Sequence, residues 1–149
     1  MNNIFNVEDN LKLRSRIQQL ASNQSPNWGK MTVSQMVLHC QKPLDVACGK
    51  LTLKQSFLGV LFGKIAKRNF IEKTDLAKNM PTAPQFKIRH EPDFESERQI
   101  LLLTVTRFGD AGPSIITNKK HPFFGALTDE EWGILHYKHL DHHLTQFAV

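Results

Sequence analysis

Leu135-His136-Tyr137-Lys138-His139-Leu140-Asp141-His142-His143-Leu144, close to the C-terminus, is the stretch on which the reading of this chain turns. Residues about 3.6 apart share one face of a helix. That period lines up His136, His139 and His143 with Trp132, Leu140 and Phe147. Imidazoles on an otherwise greasy stripe need polar partners, because an unpaired buried polar group costs roughly 1–3 kcal/mol. A metal ion would satisfy several of them together. His139 and His143 have the i, i+4 spacing that lets two ring nitrogens converge on one ion.

Upstream, Thr128-Asp129-Glu130-Glu131 reads as a capping box that opens this last helix, which should end near Phe147. A second box, Thr32-Val33-Ser34-Gln35, opens an earlier helix running to about Gly49. His39 lies on the face of that helix that also carries Met36, Pro43 and Val46. Two predicted helices therefore turn imidazole inward, and helix bundles commonly build metal sites from side chains on facing helices. A lone histidine on an apolar face is more often a hydrogen-bonded core residue. The combination of His39, His139 and His143 is what points to a divalent metal, zinc or nickel by ligand chemistry. Three protein ligands and an open position is the usual arrangement of catalytic zinc. Pro43 removes the N–H that would bond the carbonyl of His39, so a kink or bulge is expected there.

The remaining candidates are weaker. His136 sits one turn before His139, as a neighbour of the ligands, a proton carrier, or a core residue bonded to backbone. His142 projects about 100° away, toward the rim. His90 and His121 fall in predicted loops and read as ordinary loop residues. Gln146 and Asp141 are candidates to hydrogen-bond a ligand's outer nitrogen. Tyr137 and Trp28 could line a cavity mouth, although packing explains most aromatic residues.

Three further segments complete an all-α architecture. A first helix runs from Val7 to about Ala21, followed by a turn at Ser22–Asn27. Leu53 to Phe70 makes a short extra amphipathic helix, interrupted by Gly59 and Gly63. The Pro-rich stretch Asn79–Phe86 is a long loop that packs across the body. A third long helix starts at the N-cap Asp93, carries Glu95 and Glu97 in its first turn, and runs to about Phe108. Leu101 to Val105 would also pass as a buried strand, but no second strand-like run exists to pair with it. Gly109-Asp110-Ala111-Gly112-Pro113 stops that helix, and an irregular loop follows to Gly125. The expected fold is a four-helix bundle forming a single domain over residues 1–149.

The chain carries a formal net charge of +5, with its densest basic patch at Lys64, Lys67 and Arg68. That patch fits a solvated helix face, an anion-attracting substrate entrance, or an amphipathic surface for a membrane or partner. No zinc-finger spacing or nucleotide-stacking motif accompanies the charge, so no nucleic-acid partner is expected. The longest apolar run, Phe57–Phe62, is far below the roughly 20 residues of a membrane span. No N-terminal signal segment is evident. Cys40 and Cys48, eight residues apart on one predicted helix, are about 12 Å apart and cannot pair. Free thiols and the missing signal suggest a cytoplasmic protein.

Two blocks carry a resemblance. The first is Trp28-Gly29-Lys30-Met31-Thr32-Val33-Ser34-Gln35-Met36-Val37-Leu38-His39-Cys40. The second runs from His121-Pro122-Phe123-Phe124-Gly125 through Leu127-Thr128, Glu131-Trp132-Gly133 and His136 to Phe147. Together they resemble the DinB-like (YfiT-like) superfamily of helical bundles, in an uncharacterised, DUF1569-like branch. The resemblance implies a metal site made of His39, His139 and His143, with Gln146 three residues beyond the last ligand. His136 and His142 are additions to that pattern. It also implies metal-dependent chemistry on a small molecule: thiol transfer with a low-molecular-weight thiol, or hydrolysis by an activated water. A pocket is expected over the metal, flanked by the Pro-rich loop and the segment around Lys64. The competing expectation is a non-catalytic binding or dimerisation module, with a structural metal or none, and a homodimer fits either reading.

Overall fold

The structure is a computed structural model that describes residues 1–72, 76–118 and 120–149. Five α-helices dominate it: α1 (Val7–Gln19), α2 (Val33–Ala47), α3 (Phe57–Glu72), α4 (Phe94–Ala111) and α5 (Asp129–Gln146). Local chemistry sets their starts. The Asn6 side chain accepts from the amides of Glu8 and Asp9, and that of Asp93 accepts from Ser96. Thr32 with Gln35, and Thr128 with Glu131, form the two reciprocal boxes that the sequence suggests. The Leu101–Val105 run is helical, inside α4. α2 runs through Pro43 without interruption.

α1 and α2 each pack on both α4 and α5, so four long helices share one core. Leu13, Ile17, Met36, Leu101, Phe108 and Leu140 are fully enclosed there. Each such side chain contributes about 1.5–3 kcal/mol on leaving water. Polar fasteners tie the helices together. Buried Asn10 donates from Nδ2 to the carbonyls of Ile4 (3.0 Å) and Val105 (2.8 Å), joining α1 to α4. Arg16 pairs with Asp141 and donates to the Val149 carbonyl (3.0 and 2.8 Å), which ties α1 to the end of α5.

Two elements differ from the sequence expectation. The region before Gly125, expected to be irregular, contains an antiparallel ribbon of β1 (Lys120–His121) and β2 (Gly125–Ala126), with His121 opposite Gly125. The Pro-rich loop contains a single 3-10 turn at Pro84–Phe86. The ribbon matters because it seats α3. A Cβ on Gly59 or Gly63 would lie 2.5 or 2.2 Å from the Phe123 carbonyl oxygen, so only glycine permits this approach. Gly63→Ala should therefore loosen α3 alone. Hydrogen exchange would read ten- to hundredfold lower protection in α3, about 1–3 kcal/mol, with α2 and α5 unchanged.

Candidate metal centre

α2 and α5 run side by side in the core, and their histidines meet between them. His39 Nε2 lies 3.1 Å from His139 Nε2. The ring centroids of His39, His139 and His143 are 4.7–5.1 Å apart, pair by pair. One nitrogen from each of the three falls within 4.8 Å of the other two. Nitrogens bound about 2.0–2.1 Å from a tetrahedral zinc stand about 3.3 Å from one another, so the His39–His139 spacing is close to that of a ligand pair.

The outer nitrogens decide which lone pairs face inward. His39 Nδ1 donates to the Phe86 carbonyl (2.9 Å), and His143 Nδ1 donates to Gln146 Oε1 (2.8 Å). Both acceptors are neutral oxygens that fix the ring's tautomer and leave Nε2 as the free donor atom. Gln146 is itself held, since its Nε2 donates to the Trp28 carbonyl at 2.6 Å. Gly29 makes room for that contact: at φ +81, a Cβ there would come within 2.8 Å of Gln146 Nε2. The chain of contacts therefore runs from the loop before α2, through α5, to the imidazole.

Burial holds all three rings neutral. It lowers the pKa of His39, against the opposing effect of the hydrogen bond that His39 donates to the Phe86 carbonyl. It holds His139 well below the usual range, helped by neighbouring His143 and His39. It takes His143 down to about 3. A neutral imidazole needs no proton removed before it binds a metal. Three such nitrogens, with no carboxylate in the cluster among the described residues, suit zinc, nickel or cobalt and not calcium or magnesium.

Residues 3–149 match the family described as "Protein of unknown function (DUF1569)". The chain belongs to this family. No curated protein and no solved structure matches it. In this DUF1569 chain, the other sequence candidates separate clearly. Gln146 stands where expected. Asp141 does not: its carboxylate is taken by Arg16, because it projects from α5 toward α1. Tyr137 is 6% exposed and belongs to the core, not to a cavity mouth. Trp28 is half-buried at the edge of the site, with Lys78 Nζ 4.6 Å above its ring and His142 5.4 Å away, which makes His142 a rim residue.

His136 lies outside the three-histidine cluster. It stacks on Trp132 (5.5 Å, 17°) and meets Phe108 edge-on, and its Nε2 is buried without a hydrogen bond. His121 Nδ1 accepts from the amides of Phe123 and Phe124 and so organises the ribbon's turn, while His90 is exposed. Cys40 is buried, and burial raises its thiol pKa; Cys48 is half-buried, and both are free.

The surroundings differ from expectation on one side. The Pro-rich loop does reach the cluster, at His39, through the Phe86 carbonyl and ring. The basic segment instead docks at the start of α5, where Lys67 pairs with Glu131 at 2.8 Å. Eight residues of helix, about 12 Å, separate Glu131 from His139. A cavity of about 380 Å³ lies between the α2–α3 connection and the ribbon, lined by Thr52, Thr117 and His121 among others and by none of the three clustered histidines. Sequence reasoning missed the carbonyls of Phe86 and Trp28, which are backbone groups and leave no residue-type signal.

Proposed function

We propose that this chain is a divalent-metal-dependent enzyme with a DinB-like helical bundle, acting on a small molecule by thiol transfer or hydrolysis. His39, His139 and His143 hold the ion through Nε2. The observation that carries the reading is the convergence of three neutral imidazoles, two of which, His39 and His143, have their outer nitrogens pinned by the Phe86 carbonyl and Gln146. Pinned ligands of this kind are the common arrangement around protein-bound zinc.

A bound divalent ion would supply Lewis acidity, favouring the deprotonated form of a thiol or water at its open position. The rest is done by the chain. Phe86 and Gln146 fix ring orientation and tautomer. The Pro-rich loop limits water around the histidines. Trp28, Lys78 and His142 form the rim, where the Lys78 ammonium suits a carboxylate on a low-molecular-weight thiol. His136 stands apart from the cluster, which favours three protein ligands and an open position over a closed, four-ligand structural site.

The test is cobalt(II)-loaded, untagged protein titrated with a small carboxylate-bearing thiol. A sulfur-to-cobalt charge-transfer band that saturates, and is lost in His139→Ala, supports an open, thiol-accepting site. Stoichiometric cobalt whose spectrum ignores thiol would move the assignment to a structural metal.

A further inference from the structure

The outer surface of α3 is both apolar and basic. Its inner side is glycine, Gly59 and Gly63, set against the Phe123 backbone. Only the far end of the helix reaches the core, through Phe70, and the large side chains before it stay outside. Phe57, Leu58, Val60, Leu61, Phe62 and Ile65 are each more than half exposed. At 100° per residue they spread over an arc of about 200°, from Val60 round to Phe62. Scattered exposed apolar residues are ordinary, but six on one projecting helix are not.

The same outward side carries cations. Lys64 and Arg68 are exposed there, one turn apart, and Lys54 is exposed just before the helix. Glu72 is the exposed acidic residue of α3. An antiparallel self-pair centred on Leu61 would set Lys54 of each copy beside Arg68 of the other, twice over. A surface of opposite sign has no such conflict. Among the described residues no helix is long and apolar enough to cross a bilayer, so contact would be confined to its surface.

We propose that α3 docks this protein onto an anionic bilayer surface, with the Phe57–Ile65 ridge in the acyl boundary and Lys64 and Arg68 reaching lipid phosphates. Interfacial helices bind through this combination of buried apolar area and basic charge. The proposal is independent of the metal site.

The test is co-sedimentation of the full chain with phosphatidylcholine vesicles with and without about one third phosphatidylserine. Binding is expected to the anionic vesicles and to weaken with salt. Leu61→Ser/Phe62→Ser, which keeps every charge, should lower partitioning about tenfold or more, and Lys64→Gln/Arg68→Gln should do so at low salt. Circular dichroism checks that both variants fold. Binding that survives loss of Leu61 and Phe62 would be plain adsorption of a basic protein, and the proposal would fail. It would fail equally if wild type ignored anionic vesicles, or ran as a dimer that the serine variant converts to monomer, since the ridge would then belong to a second copy.

Discussion

His143→Ala should weaken zinc binding by on the order of a thousandfold, well beyond the 10–100-fold cost of losing a ligand's supporting hydrogen bond. The size follows from how few donors there are. His39, His139 and His143 are the only protein donors in the cluster among the described residues, so one deletion leaves two. Gln146→Ala should fall in the smaller, 10–100-fold class. It spares every nitrogen but frees His143 to rotate and change tautomer. His136→Phe should leave affinity near wild type, because His136 lies outside the cluster and packs on Trp132. Competition with a chromophoric chelator, on untagged protein, ranks the three. The ranking separates a metal site from a hydrogen-bonded core cluster: the latter gives wild-type protein with no stoichiometric zinc and no order among the variants.

The sequence carried the part of this site that resides in side-chain periodicity. The α5 stripe and the inward face of α2 set His39, His139 and His143 toward one another, as the cluster in the structure has them, because helical angle is fixed by residue number alone. Gln146 was legible for the same reason, three residues beyond His143. What depends on neighbours was not. Asp141 has the right chemistry to support a ligand, yet α1 supplies Arg16 on its side of α5. Tyr137 has a polar tip but lies under the packing of the core. Thr32-x-x-Gln35 and Thr128-x-x-Glu131 gave both helix starts, since capping is local chemistry. The two-residue strands of the ribbon gave no periodic signal. The amphipathic pattern of α3 and its two glycines were legible, but the close approach of Gly59 and Gly63 to the Phe123 carbonyl, which leaves Phe57, Leu61 and Ile65 outside, depends on the ribbon.

Acid should unfold the metal-free protein unusually early, with loss of stability beginning as pH falls below about 6.5. Burial lowers His136 and His143 to about 3 in the folded chain, and His121 to about 4. In the unfolded chain the same rings titrate near 6.5. Above that pH neither state takes up the proton, and the full stability is present. Below it, the unfolded chain binds protons that the folded chain refuses, so stability falls until the folded pKa is reached. At pH 5 each of His136 and His143 costs about 2 kcal/mol, out of the roughly 5–15 kcal/mol typical of a whole domain. His39 and His139 act in the same direction. Urea melts followed by circular dichroism from pH 8 to pH 4.5 would show the decline. Two changes should soften it. Zinc binds the folded form, so adding it raises stability at each pH and moves the acid midpoint lower. His136→Phe removes one of the refused protons and exchanges an unbonded buried nitrogen for a ring that stacks on Trp132. Its acid limb should be shallower by about one proton, with equal or higher stability at neutral pH. An acid limb unchanged in that variant would mean that the imidazole of His136 reaches water and protonates without unfolding, contrary to the enclosed position between Trp132 and Phe108.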